Sequence, residues 1–202
     1  NHVFLYANKK KKLHSKSMVI IGITGTIGAG KGTIVDYLTS KKNFKHYSVR
    51  LFLLKEIKKR NLEPNRDSMV LVANQLREKN TSSFIIDELM KEAIEKKTNS
   101  VIESIRTEGE VLSLRKYPNF YLFAVDALPE IRYERIVLRS SETDHINYQT
   151  FIQNEQREFT SNNPNNQNLK RCIELSDFKF LNNLSIQDLY NQIEKVLSKL
   201  TL

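Results

Sequence analysis

The 202 residues include a single cysteine, Cys172. An internal disulfide and a cysteine-built zinc site are therefore excluded, and a reducing, cytoplasmic setting is expected. Cys172 falls in a helix-like stretch, Asn168 to Leu175, and reads as a buried small hydrophobe rather than a nucleophile. No apolar run approaches the ~18 residues of a spanning helix, so no membrane partner is expected. The four histidines are scattered, and no Ser-His-Asp arrangement can be assembled from them. Asp144 and His145 stand together, but one His beside one Asp reads as a solvated loop. Internal repeats are absent. So is the interleaving of aromatic and basic residues that a stacking platform for RNA needs.

Acid is missing from residues 1–17, which hold Lys9, Lys10, Lys11, Lys12 and Lys16. The net charge is +9, so this short segment supplies more than half of it. The remaining excess suits an enzyme of polyphosphate substrates as well as it suits nucleic acid. Nucleic acid is disfavoured as a partner, though the basic segment keeps it open. Residues 1–17 lack periodicity and are expected to be a solvated, mobile tail or a leader, with Met18 as a natural start. Residues 18–202 then form one domain.

Glycine is scarce but concentrated. The stretch from Ile20 reads Ile-Ile-Gly-Ile-Thr-Gly-Thr-Ile-Gly-Ala-Gly-Lys-Gly-Thr. The apolar run Met18 to Ile23 has the composition of a strand buried on both faces. It breaks into a loop holding Gly25, Thr26, Gly28, Ala29, Gly30 and Gly32, and a helical pattern begins near Lys31. Gly25, four residues, Gly30 and Lys31 have the spacing of a phosphate-binding loop. Its N–H groups can turn toward phosphate, the following helix adds its positive end, and Lys31 supplies a point charge. Gly32 stands where a Ser or Thr normally meets magnesium, and the hydroxyl arrives one residue later, at Thr33.

Strand-like and helix-like segments alternate after the loop. Phe44 to Val49, Ser100 to Ile105, Asn119 to Val125 and Phe178 to Leu181 read as further strands. Between Arg50 and Asn99 the pattern is helical only: Leu51 to Arg60, Asp67 to Lys79 with Asp67 or Ser68 as cap, and Ser82 to Lys97. That is too long for a simple crossover, so part of it should stand off the sheet as a clamp over an acceptor. Pro129 opens a helix running to Arg139, and a helix from Tyr148 to Phe159 follows a polar segment. Ser185 and Asp188 form the start of the last helix. The expected fold is α/β, a three-layer phosphate-binding-loop NTPase with a parallel sheet of about five strands. A helical insertion spans about residues 50–99, and a short lid spans about residues 140–166.

The Gly-Lys-Gly-Thr variant of the loop resembles adenylate kinases and related small-molecule kinases. Three further stretches carry the likeness: residues 65–78 (NRDSMVLVANQLRE), 101–111 (VIESIRTEGEV) and 123–135 (FAVDALPEIRYER). Together they resemble the nucleoside-monophosphate-kinase group, and within it short adenylate-kinase-like or dephospho-CoA-kinase-like proteins. The resemblance covers nearly everything from Met18 to Leu197.

What it implies is ATP as donor, Mg2+ as cofactor and a small nucleotide-like molecule as acceptor. Lys31 and the loop amides would hold the donor. Arg135 and Arg139, four apart on one helix face, would contact the donor and the moving phosphoryl group. Arg157 could return from the lid. Arg106 matches an acceptor-binding arginine, although its context is Glu-Ser-Ile-Arg where adenylate kinases have Asp-Gly, an aromatic, Pro, then Arg. Lys55 and Arg77 would reach the acceptor, Lys55 replacing an arginine and so losing its two-point fork. Thr33 and Glu103 would meet magnesium, mostly through water. The acceptor is expected to be a (deoxy)nucleoside monophosphate, with dephospho-CoA as the rival. A nucleotide-dependent switch or RNA-associated ATPase is the alternative from another class.

Overall fold

The structure is a computed structural model that describes residues 18–139 and 146–200. The basic segment 1–17 lies outside the described residues, as do Asp144 and His145.

Strand β1 (Ile20–Gly25) is buried at all six positions, which requires neighbours on both edges and cover on both faces. It has both. The sheet order is β2-β3-β1-β4-β5, every pairing parallel, with β2 at Lys45–Ser48, β3 at Ser100–Glu103, β4 at Phe120–Asp126 and β5 at Phe178–Leu181. The register sets Ile23 and Ser48 opposite Glu103, and Gly25 opposite Val125. The strands therefore end together, and the crevice outside their carboxyl ends is where ligands of open α/β sheets bind.

Alternation along β1 divides the core. Ile21 and Ile23 face α1 (Lys31–Lys42) and the C-terminal helix Ile186–Leu197, packing with Ile34, Leu38, Phe123, Leu189 and Ile193. Ile20 faces the other layer, whose core includes residues of α2 (Val49–Lys59), α3 (Arg66–Lys79), α4 (Phe84–Lys96) and α5 (Glu108–Leu114). Helix α2 buries Val49, Leu53 and Ile57, a four-residue repeat that makes one apolar stripe. Helix α3 packs on α2 and α4 and turns its other side to the strand ends. Completing the order are α6 (Pro129–Arg139), α7 (Tyr148–Phe159), α8 (Leu169–Glu174) and α9 (Ile186–Leu197).

The ends of these helices are fixed by side chains. Thr107 with Glu110 and Ser185 with Asp188 form reciprocal capping boxes on α5 and α9. The cap of α3 is neither Asp67 nor Ser68. Asn65, in extended conformation just after Pro64, accepts the Ser68 N–H at 2.9 Å. Asp67 instead sits in the first turn, favourably placed toward the helix's positive end.

Candidate functional site

Gly28 and Gly30 hold φ of 77° and 107°, left-handed backbone that favours glycine. Space forbids a side chain as well. A Cβ on Gly28 would lie 2.4 Å from the Arg132 carbonyl oxygen, and one on Gly30 would lie 2.3 Å from Asn182 Nδ2. The loop is thus pressed between α6 and the turn after β5, where the Asn182 amide donates to the Ala29 carbonyl at 2.9 Å. The Thr26 hydroxyl donates to Asp126 Oδ1 at 2.6 Å. Gly32 differs from its neighbours: nothing lies within 4 Å of a Cβ built there. Packing does not require glycine at that position.

Lys31 turns its ammonium onto the loop itself, donating to the carbonyls of Gly25 at 2.8 Å and Thr26 at 2.7 Å. Desolvation and the neighbouring Arg106 guanidinium lower its pKa to about 7, against an opposing pull from Glu103. The glycine loop with its cation folded back onto it fits a phosphate. Gly25, Thr26 and Ala29 are buried, while Gly28, Gly30, Lys31, Gly32 and Thr33 line the cavity.

On α6, Arg135 donates through Nη2 to the Asn182 carbonyl at 2.8 Å, and its Nη1 is buried without a partner. Arg139 is exposed at the cavity's edge. The α6 arginine that touches the loop's own backbone is Arg132, to which the sequence reading gave no role. It is buried, donates to the carbonyls of Ala127 at 2.8 Å and Ile27 at 3.3 Å, and pairs with Glu155 on α7. It therefore ties α7 and the loop together.

Glu103 ends β3, the strand beside β1. Burial would raise its pKa, but hydrogen bonds from His46, Ser104 and Ser48 outweigh that and hold it at about 2. The Ser48 hydroxyl lies 3.0 Å away. Ser104 has a φ of 65°, a left-handed conformation uncommon for a residue other than glycine. Arg106 follows, its Nη1 donating to Glu158 at 2.5 Å and to Gln167 at 2.6 Å. Arg66, at the first turn of α3, grips the same carboxylate with a fork, Nε at 2.9 Å and Nη2 at 2.8 Å. Neither Arg66 nor Glu158 had a functional assignment from the sequence. They are 92 residues apart, and no local signal joins them.

Arg77 is 1% exposed and bonded to the buried Glu110 at 2.8 Å, yet it belongs to the cavity wall and its Nη1 lacks a partner. Lys55 is not brought to the cavity. It sits between Leu53 and Ile57 of the buried stripe, so helical phase turns it to solvent, whereas Arg50 on the same helix does line the cavity. Arg157 is exposed and bonded to Asp67 at 3.0 Å. Among the described residues, no group of three or more His, Cys, Asp or Glu could hold a metal. Thr33 and Glu103 both line the cavity, as oxygen donors of the hard type magnesium takes.

One cavity of about 720 Å³ joins the loop to Glu103 and Arg106. Seven cationic side chains line it against three acidic ones, which favours anionic ligands. Its apolar wall includes Val49, Leu53, Met69, Val70 and Ala73.

Sheet order, loop and lysine together define a P-loop NTPase domain with kinase-like architecture, a domain that implies nucleotide binding. Residues 21–161 match the family described as AAA domain. The chain is 31% identical over 186 residues to a UPF0200 protein of Methanocaldococcus jannaschii, covering 91% of each, and it belongs to that family. Among solved structures, TT1252 from Thermus thermophilus superposes with a TM-score of 0.60 at 19% identity, covering 93% of this chain and 100% of that one. A shikimate kinase from Bacteroides thetaiotaomicron gives 0.52 at 14%, covering 90% and 99%. These likenesses concern the fold. No helix among the described residues is long and apolar enough to cross a membrane.

Proposed function

We propose that this chain is an ATP-dependent phosphotransferase whose acceptor is a nucleotide-like small molecule, a (deoxy)nucleoside monophosphate. The observation that carries the reading is one cavity lined by two sets of groups, first the Lys31 loop and second Arg66, Arg106 and an apolar wall. A donor phosphate chain fits the first, and an anionic acceptor with a flat, weakly polar body fits the second. Phosphoryl transfer asks mainly for positioning and for cations around the moving charge. Lys31 and the loop N–H groups would hold the donor's outer phosphates. The unpartnered Arg135 Nη1 and the rim arginine Arg139 would meet the transferred group. Thr33 and the ionised Glu103 would hold magnesium or its water, and the ion would supply charge neutralisation between donor and acceptor.

The test is coupled-assay turnover with ATP and Mg2+ against AMP, CMP, UMP, GMP, their deoxy forms and dephospho-CoA. Turnover on one monophosphate well above the ATP-only rate is expected. Preference for dephospho-CoA would move the acceptor atom from a phosphate to a ribose hydroxyl. Hydrolysis without any acceptor preference would replace the reading by a nucleotide-dependent switch.

A further inference from the structure

Glu158 is out of place by ordinary rules. It is a carboxylate in the last turn of α7, where the helix end is already negative. It is 2% exposed, and it reaches two arginines from two other segments of the chain. Those arginines are half-buried and open on the cavity, so the carboxylate fills a two-guanidinium fork of the kind that recognises oxyanions. We propose that Glu158 is an internal stand-in for the acceptor's phosphate, and that acceptor binding exchanges its carboxylate for a phosphate dianion on Arg66 and Arg106. The inference rests on the kinase reading for the identity of the acceptor, but the exchange itself concerns anion binding alone.

Charge and geometry favour a phosphate over a second carboxylate. Glu158 carries one negative charge against two positive ones, so the pair is left with an excess that a dianion would neutralise. Arg77, linked to Arg106 through Glu110, adds an unpartnered N–H on the same cavity wall. A tetrahedral ligand has oxygens for three such donors, and a carboxylate has two.

Helix α7 is built to let go. Phe151 is its only buried apolar residue. The first half of the helix adds Ile152 to the same cluster and Tyr148 against Tyr133, whereas toward its C-terminal end Glu155 is tied to Arg132, Arg157 to Asp67, and Glu158 to the fork. An incoming anion competes directly for the last of these, and the helix end is then free to shift.

Inorganic phosphate is the probe, titrated calorimetrically into the full chain carrying Lys31→Ala so that the donor loop contributes little. Adding Glu158→Gln keeps the side chain's shape and removes its charge. The expected result is phosphate binding tighter by about tenfold or more, a gain abolished by further adding Arg66→Gln. Unchanged affinity, or a gain that survives loss of Arg66, overturns the proposal. Should Glu158→Gln fail to fold, hydrogen exchange of the α7 amides is read in the unaltered chain. Phosphate at matched ionic strength should speed exchange over residues 155–159, and a fixed structural bridge would leave it unchanged and sink the idea. Failure of the kinase reading shows separately, as absence of turnover across the acceptor panel with these anion results intact.

Discussion

At the residue scale, two titrating groups that line the cavity make opposite demands on pH. Lys31, lowered to about 7, is only partly protonated in the unliganded protein at neutral pH. A bound phosphate favours the charged form and raises that value again. Nucleotide binding at about pH 8 should therefore take up close to one proton, seen as a dependence of the calorimetric enthalpy on buffer ionisation heat. Lys31→Ala should abolish both the uptake and most of the affinity while the fold survives. Without ligand, the unfolded chain holds this proton more tightly than the folded one between about 7 and the ordinary 10.5, so Lys31 makes stability rise with pH across that window. Glu103 works at the other end of the scale. Its folded value of about 2 lies below the ordinary 4.5. Its stabilising contribution is complete above 4.5 and is lost as pH falls toward 2, a span worth on the order of 3 kcal/mol. Acid titration of stability should be flatter for Glu103→Gln over that range, and an unchanged slope would remove Glu103 from the hydrogen-bonded role assigned to it.

At the element scale, α3 is locked to α5 by charge as well as by apolar packing. Arg77 of α3 and Glu110 of α5 are 1% and 0% exposed, and Glu110 also accepts the backbone N–H groups of Arg106 and Thr107. Removing one member of a buried pair strands the other. Arg77→Met should cost about 3–5 kcal/mol in urea denaturation, a loss too large for a residue that serves the acceptor alone. What could be read in advance divides along the same line. The loop, the strands and Pro129 at a helix start are local chemistry, written in consecutive residues. The boundaries of α2 were nearly legible too, yet the choice between Lys55 and Arg50 for the cavity depends on helical phase against a core that only the assembled sheet defines. Ser104 takes a left-handed φ with no glycine there to announce it. Glu158, Arg66 and Arg106 come from three distant segments, and their meeting is tertiary structure. Arg132 was visible as an arginine on α6, but its burial against the loop carbonyls was not.

At the scale of the whole molecule, charge poses the question that the fold leaves open. The net charge of +9 invites a nucleic-acid reading, but five of those charges lie in residues 1–17. The rest of the excess has a visible destination, since the cavity lining alone holds seven cationic side chains against three acidic ones. A concave site with an excess of one sign focuses its field on ligands small enough to fit inside it. Residues 1–17 are the part of the charge that a long polyanion could use. Removing them at Met18 should therefore leave the affinity for an ATP analogue unchanged. Any binding of single-stranded RNA by the full chain should fall sharply on truncation, and should weaken steeply with salt, as counterion release requires. If RNA binding survived truncation and competed with the nucleotide, the cavity rather than the N-terminal segment would be its seat, and the switch reading would displace the kinase.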